Sequence, residues 1–575
     1  MAQDIKVMIL GGVRENGKNM YAVQVDDEIF ILDAGLKYPD TQLLGIDYVI
    51  PDLSFIEDNA DKIMGVFLTH GHADAIGALP YFITKYDIPV FGSKLTIELA
   101  KIAVRNSQKN ANFSDFHEID QDTAIDFKNA TVSFFDTTHN IPQTLGVAIK
   151  TDAGQIVYTG DFKFDQSANK GYKTNYSRIM EIGKEGVLAL LSDSSNAEMP
   201  HEGANEKEIG DYIIETLKDH PGRVIVSAVA SNIARIQQVL NAAYLSNRKV
   251  ILTGQDVAKI VKTAMNLDLL HIPDEELIIP ATKINEYDKE DILVLETGRM
   301  GEPLKSLQRM AMQQHKLVNI TDGDLIFITT TPSHAMETTV AKTSDLIYRA
   351  GGVVKEISRE IHASGHASRY ELQMMINLLN PQYLFPIQGE YRLLAAHKEA
   401  AEETGMAASN IIIAKKGDVY QYEKGEFQLT EGIASEDTMI DGAGIGDIGN
   451  IVLRDRKILA DDGMFIAVVT IDRKKKKIVA QPKVMTRGFV YIKENKELIY
   501  ESIELTKEAI DTNLQTKKFD WSELKQDVRH SLEKYLFQKT KRRPVVLPVI
   551  MEVNQNRHRR NANKPQGNKP QQKKK

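Results

Sequence analysis

The amino-acid sequence predicts an α/β protein of several domains, and three observations support that prediction. The chain has 575 residues, which is the length of three to four average domains. Its apolar fraction of 42% and its charged fraction of 26% are typical of a globular protein. Short apolar runs of strand length alternate with polar turns near the beginning, whereas helix-length and strand-length segments alternate in the middle of the chain.

The first part of the chain, residues 1–204, is predicted to be a domain built on β-sheet. Its strand-like segments are Ile5 to Leu10, Met20 to Val25, Ile29 to Leu32, Ile63 to Leu68, Thr131 to Phe135, Gly146 to Lys150, Gln155 to Tyr158 and Val187 to Leu191. Between Tyr81 and Arg105 the apolar spacing is closer to the helical period. The later strands end in loops rich in His, Asp or Ser, which predicts a functional site along one edge of the sheet core.

The middle of the chain, residues 205–347, alternates predicted helices with predicted strands. The helices are Glu206 to Lys218 and Ile233 to Leu245, and the strands are Val224 to Ser227, Val250 to Leu252, Ile292 to Leu295 and Leu325 to Ile328. Residues 348–430 return to the strand, loop and helix character of the first part, with a strand at Tyr383 to Pro386. We therefore expect an α/β domain inserted into the first domain.

The C-terminal part is predicted to form a small separate domain after a linker. Residues 431–450 are rich in Gly, Asp and Ser, which is typical of a linker. Residues 451–553 contain a strand at Phe465 to Ile471 and an amphipathic helix near Ile503 to Leu514, as expected for a small α+β domain. Residues 554–575 hold eight Lys or Arg and no acid, and this composition predicts a disordered basic tail. The tail is either a solubilising end or an arm that contacts RNA phosphates or acidic partners.

The composition of the sequence bears on the cellular location of the protein and excludes several kinds of functional site. The net charge is −8, and without the basic tail it would be −16, so the body of the chain does not itself indicate a nucleic-acid-binding protein. Cysteine is absent, which excludes disulfides, thiolate metal ligands and a cysteine nucleophile. No stretch approaches the roughly 18 apolar residues of a membrane span. The first residues do not fit a signal peptide, so we expect a cytoplasmic location.

The motif with the strongest chemical content follows the predicted strand Ile63 to Leu68. His70 and His72 are one residue apart, and Asp74 lies two residues further on. Imidazole and carboxylate groups are ligands for Zn²⁺ and Mn²⁺, and a sharply turning loop would let the three side chains converge. The alternative is a surface loop whose histidines are hydrogen-bonded.

Three further segments favour the metal site over the surface loop. His139 follows the strand that ends near Phe135, Asp161 follows the strand that ends at Tyr158, and the segment His362 to His366 comes much later in the chain. Each lies just past a predicted strand, where loops gather at a sheet edge. The joint occurrence predicts a metal-dependent hydrolase.

These motifs resemble the metallo-β-lactamase superfamily, and within it the β-CASP group that interrupts the lactamase fold with an α/β domain. More specifically, the segments Thr159 to Asp165, Ser192 to Asn196, Ser231 to Ile236, His362 to His366 and Gly389 to Arg392 are similar to the ribonuclease J family. The resemblance implies a metallo-β-lactamase αββα sandwich, an inserted β-CASP domain, and a C-terminal domain that supports oligomerisation.

The resemblance also implies a ligand set, and this sequence departs from it at two positions. His70, His72, His139 and Asp161 would hold one cation, and all four are present. Asp74, Asp161 and two histidines would hold the other cation, but the two histidine positions are Ala75 and Gln388. The first site suits Zn²⁺ or Mn²⁺, whereas the second keeps only oxygen ligands and is expected to be weak or empty.

The remaining site residues are implied by the same resemblance. The candidate catalytic residues are Asp74, Asp193 and His366, where Asp193 would orient a neighbouring residue and a histidine of the His362 to His366 loop would protonate the leaving oxygen. The candidate substrate-binding residues are His362, Ala363, Ser364, Gly365, His366, Ser231 and Asn232. Ser231 and Asn232 could bind a 5′-monophosphate at a helix start, or simply cap that helix. Tyr391 and Arg392 could contact nucleotides, or Arg392 could form a structural ion pair.

The function implied by the resemblance is RNA hydrolysis, by 5′-to-3′ exonuclease and endonuclease action, in mRNA decay and rRNA maturation. Because the second site lacks both histidines, we expect weak activity and association with an active ribonuclease J paralogue, besides homo-oligomers. The departures fit the second of two paralogues. One alternative is a catalytically silent RNA-binding subunit that stabilises the active enzyme. Another is a hydrolase of small molecules, which the large insertion argues against.

Overall fold

The computed structural model describes residues 3–39, 43–107, 112–169, 171–201, 203–218, 220–254, 256–298, 302–329, 336–357, 361, 363–442, 444–446, 449–516 and 519–553. The predicted tail 554–575 and the predicted site residue His362 lie outside these ranges. The chain forms two compact units, one of residues 1–40 and 46–445 and the other of residues 41–45 and 446–575. Among the described residues, none of the helices combines the length and the apolar character that crossing a bilayer requires.

The first unit is built on two large sheets that face each other. The eight-stranded sheet has the spatial order Glu426–Leu429, Val419–Glu423, Ile5–Ile9, Tyr21–Val25, Glu28–Leu32, Ile63–Phe67, Val90–Gly92 and Phe116–Glu118. The six-stranded sheet has the order Tyr383–Ile387, Val187–Asp193, Gly154–Tyr158, Thr144–Thr151, Thr131–Thr137 and Ala124–Asp126. One apolar core combines buried residues from both sheets, among them Phe67 and Phe134.

Helices cover the outer faces of both sheets, which completes the predicted αββα sandwich. The longer ones are Lys94–Asn106, Tyr176–Glu185, Arg369–Leu379 and Tyr391–Glu403. The shorter α and 3₁₀ helices are Ser54–Asp58, Ala60–Lys62, Ala73–Ile76, Leu79–Tyr81, Ile83–Tyr86 and Ala408–Asn410. Side chains alternate along a strand, so Phe134 enters the core between the sheets while its neighbour Phe135 packs under the helices. Burial on both faces explains why these strands are almost continuously apolar.

The inserted domain is a five-stranded parallel sheet with helices. Its strands, in spatial order, are Lys249–Thr253, Ile292–Gly298, Val224–Val229, Leu325–Ile328 and Val353–Glu356. Its helices are Glu206–Lys218, Ile233–Leu245, Val257–Asn266, Ala281–Glu286, Lys289–Asp291, Glu302–Ala311 and Glu337–Arg349. The chain leaves the sandwich after Val187–Asp193 and returns with the helix Arg369–Leu379. It then forms Tyr383–Ile387, the parallel neighbour of Val187–Asp193 in the six-stranded sheet. The α/β insertion is therefore present as predicted.

The structure differs from the sequence prediction at three places. The strand Val90–Gly92 lies within the segment predicted to be helical, because three residues are too few to show a period. The strand Val353–Glu356 pairs with Leu325–Ile328, so the inserted sheet extends past residue 347. Part of the predicted linker forms the strands Thr438–Asp441 and Gly444–Ile445, which join Tyr48–Ile50 in a three-stranded sheet. Ile440 is buried there, which fixes this segment to the first unit.

The second unit is a three-stranded sheet with two long helices packed on one face. The strands are Lys477–Arg487, Met464–Asp472 and Val545–Glu552, and the helices are Asn450–Asp462, Lys496–Gln515 and Trp521–Thr540. Phe465, Ala467, Val469 and Ile471 alternate along the central strand and form the core with the two long helices. The side chains between them along the strand lie on the other face of the sheet.

Candidate active site

The candidate site lies at the ends of strands along one edge of the sandwich. His70 follows the strand Ile63–Phe67, His139 follows Thr131–Thr137, and Asp161 follows Gly154–Tyr158. Asp193 is the last residue of its strand, and Gln388 comes directly after Tyr383–Ile387. The structure thus brings together segments that are far apart in sequence, as the position of the polar residues predicted.

Three imidazoles form one side of the site. The ring centroids of His70 and His72 are 4.9 Å apart, and the ring of His139 is 5.1 Å from each of them. One ring nitrogen of each histidine lies within 4.8 Å of the corresponding nitrogens of the other two. Three nitrogens at this separation are suited to a single cation between them.

Hydrogen bonds fix the orientation of two of these rings. The Nδ1 of His139 donates to the carbonyl oxygen of Gly365 at 2.6 Å, which leaves the Nε2 lone pair available. The Nδ1 of His70 is 2.9 Å from the Thr69 hydroxyl, and that hydroxyl donates to Asp33 at 2.8 Å. His70 Nδ1 therefore carries the proton, and its Nε2 is buried with no hydrogen-bond partner among the described residues. Both rings present a bare nitrogen to the site.

Asp33 supports the histidine loop from behind, and the sequence analysis missed it. Its carboxylate accepts hydrogen bonds from the Thr69 amide at 2.8 Å and from the Tyr158 hydroxyl at 2.6 Å. Burial raises the pKa of Asp33 to about 7, although these hydrogen bonds oppose the shift. The available signal was its position directly after the strand Glu28–Leu32, the same pattern that identified the other site residues.

His72 is held by partners from two domains. Its Nδ1 is 2.6 Å from the hydroxyl of Ser231 in the inserted domain, and its Nε2 is 2.5 Å from the side-chain oxygen of Asn140. Both ring nitrogens are therefore hydrogen-bonded, so a cation bound at His72 displaces one of these two partners. Ser231, predicted as a substrate-binding residue, thus lies against a predicted metal ligand.

Two carboxylates lie between the histidines. One oxygen of Asp161 is 3.7 Å from His70 Nε2 and 3.8 Å from His139 Nε2, while its other oxygen is buried with no partner among the described residues. One oxygen of Asp74 is 3.7 Å from His70 Nε2. Burial first, and then repulsion from neighbouring carboxylates, raises the pKa of Asp74 above its ordinary value and that of Asp161 well above it.

This donor set fits a divalent cation. Burial is the first cause that lowers the pKa values of His70, His72 and His139, so the three rings are in the neutral form that metals bind. The unpartnered nitrogen of His70 and the unpartnered oxygen of Asp161 are buried polar atoms that would otherwise be costly. A cation between them would satisfy both atoms and offset the repulsion between the carboxylates.

The site has two halves, which share Asp161. The three histidines belong to the first half, whereas Asp74 and the side chains at positions 75 and 388 belong to the second half, which offers different ligand groups. Ala75 is fully buried and belongs to the apolar core, where it contributes no ligand atom. Gln388 is 1% exposed, and neither atom of its amide has a hydrogen-bond partner of normal geometry among the described residues. Gln388 nevertheless lowers the pKa of Asp161, against the larger effect of burial. Its backbone has a φ of 54°, and its backbone amide donates to the carbonyl oxygen of Gly12 at 2.6 Å.

Asp193 and His366 form a charged pair next to the carboxylates. His366 Nδ1 is 2.8 Å from one oxygen of Asp193 and 3.9 Å from Asp161. Burial lowers the pKa of His366, but the carboxylates, Asp193 first, outweigh burial and raise it to about 10. The Ser195 amide donates to the other oxygen of Asp193 at 2.9 Å, which fixes the carboxylate in place. Asp161, Asp193 and His366 also form a third group with ligand atoms within 4.8 Å of one another.

The other predicted substrate-binding residues that the structure describes are Ala363, Ser364, Gly365 and Asn232. Gly365 lies so close to His139 that a Cβ atom there would be 2.7 Å from the imidazole, so glycine is required for the loop to approach the ring. The hydroxyl of Ser364 accepts from the amide of His366 at 3.0 Å, and Ala363 is buried. Asn232 caps the helix Ile233–Leu245, because its side-chain oxygen accepts from the amide of Arg235 at 2.9 Å.

Four family models match successive parts of the chain. The model of the metallo-beta-lactamase superfamily matches residues 13–195, and that of the ribonuclease J beta-CASP domain matches residues 221–347. The model of the Zn-dependent metallo-hydrolase RNA specificity domain matches residues 353–414, and that of the ribonuclease J C-terminal domain matches residues 451–553.

Whole-length relatives agree with these models. A protein described as ribonuclease J 2 from Streptococcus pyogenes serotype M3 is 53% identical over 550 residues, which cover 96% of this chain and 100% of the relative. A protein of the same description from Staphylococcus aureus is 46% identical over 553 residues, covering 96% and 99%. A crystal structure of a protein of unknown function from Enterococcus faecalis V583 shares the fold, with a TM-score of 0.51, 14% identity, and coverage of 73% of this chain and 100% of that one. The chain therefore belongs to the ribonuclease J family of metal-dependent metallo-β-lactamase, β-CASP nucleases.

Proposed function

We propose that this chain hydrolyses RNA phosphodiesters at the site formed by His70, His72, His139, Asp161 and Asp74. The observation that carries the proposal is three neutral imidazoles, two of them fully buried, facing the buried carboxylate of Asp161 and the half-buried carboxylate of Asp74, next to the pair of Asp193 and His366. The names of the relatives, ribonuclease J 2, support RNA as the substrate. The RNA specificity domain that matches residues 353–414 supports it as well.

Each side chain of the site has a definable task in this reaction. His70, His72, His139 and Asp161 would hold a divalent cation, which when bound supplies an activated water and neutralises charge on the phosphoryl oxygens. Asp33, through Thr69, and the carbonyl oxygen of Gly365 keep the His70 and His139 rings in the tautomer that binds metal. The family models support Zn²⁺ as one candidate cation, and the nitrogen-rich first half suits Zn²⁺ or Mn²⁺.

His366 is the proposed proton donor to the leaving oxygen. Its raised pKa keeps the imidazolium charged at neutral pH, and Asp193 at 2.8 Å holds the ring in one orientation. A positioned general acid typically contributes 10²–10⁴-fold to a rate. The neighbouring Ser364 and Gly365 are proposed to contact the RNA backbone, since small residues let a phosphate approach the main chain closely.

We further propose that turnover is weak in comparison with a family member that has the full ligand set. The second half of the site offers Asp74, Asp161 and the amide of Gln388, all oxygen ligands, and Ala75 offers none. Oxygen ligation with open positions suits weakly held Mg²⁺ or Mn²⁺. Loss of a tightly held second cation should cost several kcal/mol of transition-state stabilisation, which is roughly a thousandfold in rate.

The proposed cleavage mode is 5′-to-3′ exonuclease and endonuclease action on single-stranded RNA in mRNA decay and rRNA maturation. Ser231, which bonds to His72 in the structure, and Asn232 at the start of the helix Ile233–Leu245 are the proposed contacts for a 5′-monophosphate. The domain limits at residues 204 and 450 and the cytoplasmic location stay predictions.

The second unit is proposed to mediate homo-oligomers and association with an active paralogue. One face of its sheet carries apolar side chains in register, because Ile466 lies opposite both Met485 and Leu547, and Val468 lies opposite Val549. Met485 is 48% exposed and Leu547 is 44% exposed. An exposed apolar sheet face of this kind is suited to burial against another protein. In sedimentation velocity, the Leu547→Asp variant should contain more monomer than the native chain. A profile identical to that of the native chain would argue against this face as the interface.

The test of the proposed function is cleavage of a 5′-monophosphorylated single-stranded RNA with Mn²⁺, in comparison with EDTA. We expect slow, metal-dependent release of products from the native chain and no release from His72→Ala. His271→Ala, which changes an exposed histidine of the inserted domain, is the matched control and should cleave at the native rate. Tight RNA binding without any metal-dependent cleavage would instead support the silent RNA-binding subunit, which the family match does not favour.

A further inference from the structure

We propose that single-stranded RNA leaves the site along a surface strip formed by Tyr391, Arg14, Lys415, Lys416 and Lys37, with one base stacked on the Tyr391 and Arg14 pair. The inference rests on the proposed function, because the occupant of the strip is the substrate itself. It adds a binding surface outside the metal centre.

The flat part of the strip is a tyrosine and an arginine in contact. Tyr391 is the first residue of the helix Tyr391–Glu403 and is 56% exposed. The guanidinium of Arg14 lies over its ring, 5.1 Å from the centroid. The Nε of Arg14 donates to the carbonyl oxygen of Ala414 at 3.2 Å, which restrains the guanidinium. Aromatic rings and guanidinium planes are the groups on which unpaired RNA bases stack.

This pair is attached directly to the catalytic edge. The backbone amide of Gln388 donates to the carbonyl oxygen of Gly12 at 2.6 Å, and the backbone amide of Gly389 donates to the carbonyl oxygen of Glu15 at 3.0 Å. The loop that carries Arg14 is therefore fastened to the segment that leads into Tyr391, on both sides of the arginine. Gln388 itself is a candidate residue of the second half of the metal centre, so the strip begins where that half ends.

The charged side chains beside the Tyr391 and Arg14 pair favour the binding of phosphate groups. Lys18, Lys37 and Lys416 surround the carboxylates of Glu15 and Asp437, with Lys18 at 3.0 Å from Glu15 and Lys37 at 3.7 Å from Asp437. Lys18 is fully buried beneath them.

Two more cations extend this group toward the aromatic ring. Lys415 is 64% exposed and lies 4.0 Å from Asp418, and Arg14 is exposed. The strip with its buried lysine thus has five cations and three carboxylates, whereas the whole chain has a net charge of −8. A local cationic surplus on an acidic protein attracts the RNA backbone.

The neighbouring arginine does not belong to the strip. Arg392 forms an ion pair with Glu198, and it is 3.9 Å from Glu390. Of the two possibilities left open by the sequence, Arg392 has the structural ion pair, while Tyr391 has an exposed ring. An acidic protein segment could use the lysines, but it would not need the exposed ring, so we favour RNA.

The experiment measures the affinity of the full-length chain for fluorescent uridine oligonucleotides in EDTA, by anisotropy at several salt concentrations. Tyr391→Ala should weaken binding of a 20-nucleotide RNA by about 10-fold, the effect of losing one stacked base. Tyr391→Phe keeps the ring and should bind as the native chain does. Tyr348→Ala is the matched control, since Tyr348 is 58% exposed on the helix Glu337–Arg349.

The lysines are tested through the salt dependence of the same affinity. Lys415→Ala should lower the slope of log affinity against log salt by about 0.7, the value for one phosphate of single-stranded RNA. Lys128→Ala is the control, because Lys128 is 72% exposed and, like Lys415, lies near an aspartate. We expect it to leave the slope unchanged.

The outcomes separate this inference from the proposed function. If the native chain binds RNA, and both Tyr391→Ala and Lys415→Ala bind it with the same affinity, the strip is overturned. The proposed function would then stay intact. No RNA binding by the native chain would overturn both. Stronger binding of polyglutamate than of RNA would assign the strip to an acidic protein partner and would also overturn the inference.

Discussion

The two halves of the candidate metal centre differ in how completely their ligands are supported. In the first half, His70 and His139 each have one nitrogen fixed by a hydrogen bond and the other left bare. In the second half, the two positions expected to hold histidine are Ala75, packed in the core, and Gln388, whose amide has no partner of normal geometry among the described residues. The difference lies in ligand chemistry, because Ala75 and Gln388 are buried, as His70 and His139 are.

The comparison shows that the framework of the site does not depend on the lost histidines. Gln388 still occupies a left-handed turn, with φ of 54°, and its backbone is hydrogen-bonded to Gly12. The pair of Asp193 and His366 is also in place, at 2.8 Å. The fold can therefore keep the proposed RNA-binding loop and the proposed proton donor while the cation ligands change at one half only.

The largest effect is expected from removing a ligand of the supported half. His70→Ala removes a ligand that faces both Asp74 and Asp161, so the cation should be lost and RNA cleavage should fall by about a thousandfold or more. The measurement is single-turnover cleavage of 5′-monophosphorylated RNA, with His271→Ala as the control. If His70→Ala cleaved at the native rate, the first half would not be the working half.

Restoring imidazoles to the other half should give the next largest effect, in the opposite direction. The double change Ala75→His and Gln388→His should raise the cleavage rate by roughly a hundredfold to a thousandfold. Histidine tolerates the left-handed backbone of position 388 better than most residues. Each single change and the thermal unfolding midpoint are the controls, because Ala75 is buried. If the double variant folds and cleaves at the native rate, the ligands of the second half do not limit turnover.

A smaller effect is expected from His366, the proposed proton donor. Asp193→Asn removes the main cause of the raised pKa of His366, so burial should then lower that pKa toward or below its ordinary 6.5. The rate should fall by about a hundredfold at neutral pH. Since the protonated form is the donor, the loss of activity with rising pH should begin at lower pH in Asp193→Asn than in the native chain. Coincident alkaline limbs in the two pH profiles would contradict this assignment.

The same pair should contribute to stability over a defined pH range. The pKa of His366 in the folded protein, about 10, lies above its ordinary value of 6.5. Its contribution is therefore complete below about pH 6.5 and is lost as the pH rises through about 10. Denaturant unfolding in EDTA should show a smaller difference between the native chain and Asp193→Asn at pH 10.5 than at pH 6.

The smallest effect is expected beside the site, at the start of the helix Ile233–Leu245. Asn232→Ala removes the helix cap and should lower the free energy of unfolding by about 1 kcal/mol, with no change in cation affinity. Ser231→Ala, one residue earlier, should instead alter cation affinity through His72. Calorimetric titration with Mn²⁺ and denaturant unfolding distinguish the two variants. If both variants changed cation affinity equally, the different roles given to Ser231 and Asn232 would be wrong.

The elements that position the site could be predicted where apolar strands run directly into polar loops. That pattern predicted that His139 and Asp161 would lie together with His70, and the structure places them within one site. Sheet strands buried on both faces are recognisable from sequence because they are apolar throughout, and the loops after them gather at one edge.

Other features could not be predicted because they depend on contacts between distant segments. Ser231 and His72 are 159 residues apart, and only the placement of the inserted domain brings them together. The strand Thr438–Asp441 forms by pairing with Tyr48–Ile50, so its sequence alone looked like a linker. Asp33 acts on His70 through Thr69, and an aspartate after a strand is otherwise typical of a turn.

The most direct test of the difference between the two halves is the number of cations that each form of the protein binds. Calorimetric titration of the metal-stripped full-length chain with Mn²⁺ should show one tight site per chain and a second site at least a hundredfold weaker. The double variant Ala75→His and Gln388→His should show two tight sites. Two equally tight sites in the native chain, or none at all, would contradict the proposed asymmetry.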